Sequence, residues 1–111
     1  MGNTACIHIQ IGKGVCGTAA VLIVLADKTV LTYVYDGSLT MGNMMLEATS
    51  LGIGSCWIHR AKEEFETEGG KQFLKDPGIN GDYEGIGHVI LGYPDGEGKA
   101  AERKRGRVFW K

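Results

Sequence analysis

Residues Met41–Ala61 read MGNMMLEATSLGIGSCWIHRA, and the parsing of this stretch decides the fold. Met41, Met45 and Ala48, joined by Met44 and Leu51, recur three or four residues apart. That spacing lines one face of an α-helix. Asp36 stands where it can cap a helix running from Gly37 to Leu51, and Gly52 is a natural stop just past its end. Ser55–Ile58 (SCWI) follows at once as an apolar segment of strand length.

Working outward, Val21–Ala26 (VLIVLA) is an unbroken apolar run, as expected of a strand covered on both faces. Asp27–Thr29 ends it. Thr4–Ile11 (TACIHIQI) alternates weakly, is rich in β-branched residues and reads as a short strand, followed by a glycine-dense turn at 12–17. On the other side, Ala61–Leu74 is charged and helical, and Gly69-Gly70 is expected to divide it into two short helices. Pro77–Gly81 is a turn, and Gly85–Tyr93 (GIGHVILGY) a further strand. Asp95–Arg107 is polar and basic and runs into apolar Val108-Phe109-Trp110. Strand–helix–strand order from 21 to 93 predicts a sheet layered with helices, α/β or α+β.

Composition narrows the classes of function. One domain fits in 111 residues, and 43% hydrophobic with 23% charged residues is globular rather than disordered. A net charge of −1 argues against coating nucleic acid through bulk charge. The apolar run at 21–26 is too short to span a bilayer, and His8 and Gln10 interrupt the first apolar segment, so neither a membrane partner nor a cleaved leader is expected. Three cysteines make no disulfide scaffold, which points to the cytoplasm. Eighteen glycines are more than twice the usual share of about 7% and predict tight turns or close backbone approach.

Three patterns invite misreading. Gly12-Lys13-Gly14-Val15-Cys16-Gly17 fits GxGxxG, but the next strand starts at Val21 and leaves no room for the helix whose N-terminus would meet a pyrophosphate. A tight turn is favoured. Cys56-x-x-His59 has the spacing of two zinc ligands, yet a tetrahedral site needs four and no second pair is spaced to join them. A buried structural cysteine is expected at 56. Five positive charges between Lys99 and Arg107 would normally be a solvated tail, although guanidinium groups also match phosphate oxygens.

From Val21 onward the chain resembles the second half of the flavin-dependent nitroreductase family. The resemblance is carried by Asp36-Gly-Ser-Leu, by the 41–61 stretch, by Gly85-Ile-Gly-His-Val-Ile-Leu-Gly-Tyr-Pro and by the tail ending Gly106-Arg-Val-Phe-Trp. It implies an α+β fold, a nitroreductase-like sheet with flanking helices, truncated relative to the family and completed as an intertwined dimer. It also implies FMN bound in the interface of a homodimer, and reduction of small electron-poor aromatics with NAD(P)H. By similarity His59, Arg60 and Ala61 follow the strand that runs to the flavin ring edge. Arg103, with Lys104 or Arg105, holds the basic tail position that reaches the FMN phosphate, and the tail crosses onto the other subunit. The flavin takes and passes the hydride, so no catalytic side chain is expected. The family's Arg-Arg-Ser-x-Arg stretch has no counterpart, since no arginine precedes Arg60.

Residues 4–20 instead resemble a short stretch of GAF-type free methionine-R-sulfoxide reductases, with Cys6 and Cys16 at the spacing of two of that family's cysteines. The division expected is a GAF-like segment over 1–20 and a nitroreductase-like domain over 21–111. Competing readings are a chimeric or remnant module that self-associates without cofactor, and a thiol-redox protein using Cys6 and Cys16. The helix face carrying Met41 and the apolar 108–110 end are expected to be uncovered in a single chain, which also favours self-association.

Overall fold

The computed structural model describes residues 20–76, 78–96 and 98–111, and residues 5–11 as backbone. The Gly12–Gly17 turn and Cys16 lie outside the described residues, as does the side chain of Cys6. Four strands, β1 (Ala5–Ile11), β2 (Ala20–Asp27), β3 (Gly54–Ile58) and β4 (Tyr83–Gly92), form one sheet in the order β1-β2-β4-β3. Every pairing is antiparallel. A parallel doubly wound sheet is thereby excluded, and the class is α+β.

The apolar run at 21–26 behaves as expected of a strand covered twice. Val24 and Ala26 point to one side, where they meet Met41, Ile86 and Val89. Val21, Ile23 and Leu25 point to the other, against Phe65, Phe73 and Ile90. Helix α1 (Tyr33–Ser50) covers the first face, with Met41 fully buried. The short helices α2 (Ala61–Glu66) and α3 (Glu68–Lys75) cover the second. Each such aliphatic side chain taken out of water contributes roughly 1.5–3 kcal/mol, so β2 is the seam of the domain.

Four local expectations need correction. Helix α1 begins at Tyr33, and Thr32 rather than Asp36 is its N-cap residue. Asp36 sits in the first turn, accepting a 2.8 Å bond from Thr32 Oγ1. A carboxylate there favours the positive end of the helix as well as a cap would. The break after α2 falls at Thr67, not at Gly69-Gly70. Thr67 is extended (φ −74°, ψ 157°), and its hydroxyl accepts from the Gly70 amide at 3.0 Å. Gly70 matters for a different reason. A Cβ there would collide with the Glu64 carbonyl, so its bareness lets α3 fold tightly against α2. Cys56 is exposed rather than buried, because β3 is an edge strand; its thiol donates to the Trp57 carbonyl oxygen at 3.7 Å.

The fourth correction concerns α1. Its methionine face is not left uncovered: Met41 packs on the chain's own sheet, with Met44 and Met45 beside it. The uncovered apolar residues are on the opposite face. Tyr35, Leu39 and Leu46 are 72%, 69% and 72% exposed. Their spacing, with Gly42 between, draws one stripe along the helix. Val108, Phe109 and Trp110 are exposed, as expected.

Thr67 closes two helices at once, since its hydroxyl also donates to the Glu64 carbonyl at 2.6 Å. Thr67→Ala should therefore cost about 1 kcal/mol, in the range of a lost N-cap. Urea denaturation checks this; an unchanged midpoint would show that the cap is idle.

Candidate functional site

The turn after β3 is where the sheet, α1 and α2 come together. In register, Trp57 lies opposite Val89 and packs with the α1 core, while Ile58 lies opposite His88. The indole Nε1 of Trp57 is buried without a hydrogen-bond partner among the described residues. Beyond it the His59 ring lies 6.4 Å from the Trp57 ring, tilted by 46°. Together with Tyr33 and Ser38 of α1, Lys62 of α2 and Glu84 of β4, these rings line a cavity of about 310 Å³. That is at the lower end of the size of small-molecule sites.

Charge in this cavity is mixed. Lys62 Nζ is 3.9 Å from Glu84 Oε1, whose side chain is only 14% exposed. Arg60 is exposed at the N-cap position of α2 and makes no side-chain cap bond. With six residues and Glu63 and Glu64 in its first turn, α2 has little positive end to offer. The cation is what remains. Ala61 is 1% exposed, and its backbone lies so close to Gly85 that a Cβ at 85 would overlap its carbonyl group. At the far end of β2, Thr29 fixes another carboxylate: its hydroxyl (2.6 Å) and then its amide (2.9 Å) donate to Asp27 and hold that carboxyl below the ordinary value.

Of the residues expected to hold a cofactor, His59 lines the cavity, and Arg60 and Ala61 continue the same turn. Arg103, Lys104 and Arg105 are exposed on an arm without helix or strand. The cavity wall contains no residue of that arm, so a single chain does not join the two groups. Tyr33, Ser38, Trp57 and Glu84 were not expected in the wall. Nothing in the sequence pairs residues 33 and 84; only the neighbouring positions of α1 and β4 on the sheet do. Among the described residues no cluster of three or more His, Cys, Asp or Glu could hold a metal. No described helix is long and apolar enough to cross a membrane.

Residues 11–93 match the sequence profile of the Nitroreductase family. The chain belongs to this family. The match begins within the segment read as GAF-like. Among solved structures, this nitroreductase-family chain is similar to a nitroreductase with bound FMN from Bacteroides fragilis, at 27% identity and a TM-score of 0.75, covering 84% of this chain and 51% of that one. A nitroreductase with bound FMN from Desulfitobacterium hafniense shares the fold at 21% identity and a TM-score of 0.73, covering 85% of this chain and 51% of that one. An FMN-dependent nitroreductase from Clostridium difficile shares it at 20% identity and a TM-score of 0.75, covering 96% and 75%. The chain spans about half the length of the first two. No curated protein sequence matches it.

Proposed function

We propose that this nitroreductase-family chain is a flavin-dependent oxidoreductase that acts as a homodimer, binds FMN, and reduces small nitroaromatic or quinone-like compounds with NAD(P)H. The observation that carries the reading is the turn His59–Ala61 set beside the Trp57 cavity, in a chain whose FMN-bound relatives share its fold. The residues fit the group in part. Trp57, whose indole N–H has no partner among the described residues, and His59 offer aromatic walls for a flat ring, and exposed Arg60 is a nearby cation. Bound FMN supplies the two-electron acceptor, so the protein's work is to bind, orient and exclude water. Lys62 and Glu84 neutralise one another at the mouth, which suits uncharged aromatic substrates.

The phosphate needs compensating charge, and Arg103, Lys104 and Arg105 are the densest positive group in the chain. In a dimer the arm of one subunit would bring that charge to the other's cavity. The stripe on α1 supports such pairing, because three large exposed apolar residues on one helix face ask for a cover. Within this reading the GAF-like origin expected for residues 1–20 is kept for the part before residue 11, where the family match begins; strand β1 lies at the sheet edge beside β2.

Titrating FMN while following flavin fluorescence and melting temperature tests the assignment. Saturable quenching and a concentration-dependent rise in melting temperature are expected. Replacing Arg103, Lys104 and Arg105 together by alanine should weaken binding by about tenfold or more, given three lost charges. Truncation after Ala101 should abolish binding, and Cys56→Ala should leave it intact. No quenching and no shift at millimolar FMN would favour the self-associating module without cofactor. The separation of arm and cavity within one chain is the observation on that side.

A further inference from the structure

On the opposite face of the sheet from the Trp57 cavity lies a second one, of about 370 Å³, between β2, β4 and the α2–α3 turn. Val21, Ile23, Phe65 and Phe73 form its apolar walls, and Glu64 and His88 its polar part. The Phe65 ring is 6.2 Å from Phe73 and 5.9 Å from His88. His88 is an unusual resident of this face. It stands opposite Ile23 on one side and Ile58 on the other, and is only 2% exposed. An imidazole in such surroundings is costly unless its polar atoms are engaged. Its Nδ1 has no partner among the described residues, and its Nε2 donates to Glu64 Oε2 at 2.6 Å.

That single bond fixes the Glu64 carboxylate at the mouth of an aromatic cavity. Glu64 is about half exposed. Glu64 is the only charged carboxyl-bearing residue among those lining this cavity, and no Lys or Arg lines it. An oriented carboxylate with no basic side chain in the lining, set against aromatic walls, is the complement of a cation on an apolar body. We propose that this cavity is a binding site for a small arylalkylammonium compound. Its ring lies among Val21, Ile23, Phe65 and Phe73, and its ammonium group donates to Glu64, which His88 holds in place. The site is separate from the Trp57 cavity and does not rest on the flavin assignment.

The test uses the full chain and three probes of similar shape: benzylammonium, benzyl alcohol and phenylacetate. Calorimetry should show benzylammonium binding about tenfold more tightly than benzyl alcohol, with phenylacetate weakest. Amide shifts in NMR spectra should centre on Phe65, Thr67 and Gly70 and spare His59. Glu64→Gln should bring the cation and the alcohol to within about twofold of each other, because the shape is kept and the charge is not. Equal binding of cation and alcohol by the unaltered chain would overturn the proposal. So would preference for phenylacetate, shifts centred on His59, or no binding at about 10 mM, where affinity is negligible on any scale. The probe series on the unaltered chain decides the matter even if the variant does not fold.

Discussion

Gly85→Ala should destabilise the chain by about 3 kcal/mol, the upper part of the range for overpacking a tight interior. The added Cβ would overlap the Ala61 carbonyl group and lie 2.9 Å from the Ala61 Cβ. Neither is the end of a flexible side chain that can swing aside. Ala61 is itself 1% exposed, so the first turn of α2 has no room to yield except by lifting off the sheet. Lifting α2 also drags the turn His59–Arg60, which leads directly into it. The variant should therefore lose affinity for FMN by more than its stability loss alone explains. Denaturation in urea measures the first effect, and flavin titration of the remaining folded protein the second. Gly98→Ala is the control, since nothing lies within 4 Å of a Cβ there. A Gly85→Ala protein within about 0.5 kcal/mol of the original, the scatter of surface substitutions, would show that α2 is not tied to the sheet at this point.

The same contact illustrates what the sequence could and could not disclose. Val21–Ala26 announces a doubly covered strand because six consecutive apolar residues leave neither face polar, and that is what β2 is. Met41 and Ala48 announce the buried face of α1 through their spacing. These are local signals of period and composition. The Gly85–Ala61 approach joins residues that only the pairing of β4 beside β3 makes neighbours, and no local pattern encodes it. The Cys56 error has the same origin. SCWI is apolar enough for a central strand, and only the sheet order puts it at the edge. At Thr67 the mistake is chemical instead. Gly69-Gly70 has the composition of a breaker, but a threonine hydroxyl that caps the next helix ends one helix and starts another more specifically than two flexible residues do. In the candidate site, His59, Arg60 and Ala61 are reached through family resemblance, and the cavity beside them is not. Its wall combines residues 33, 57 and 84, which meet only because α1 and β4 share one face of the sheet.

In the homodimer proposed above, Leu39→Asp combined with Leu46→Asp should weaken association by at least about a hundredfold and leave a monomer. Both leucines are about 70% exposed in the single chain and contribute little to its own core, so the monomer should remain folded. In a two-fold pair the stripe meets its own copy, so both leucines of each subunit are covered. Covering one such side chain is worth about 2 kcal/mol, and burying an unpaired carboxylate in its place costs at least as much. Four altered positions per dimer therefore outweigh any small electrostatic or entropic gain. Sedimentation at micromolar concentration reads the result directly, and Lys71→Ala, on the other side of the sheet, should leave association unchanged. If the arm carrying Arg103 reaches the partner's Trp57 cavity, FMN binding should fall in step with dimerisation. A monomer of the double variant that still binds FMN at full strength would place the cofactor's grip within one chain. An unaltered chain that sediments as a single monomeric species would remove the stripe as an interface altogether.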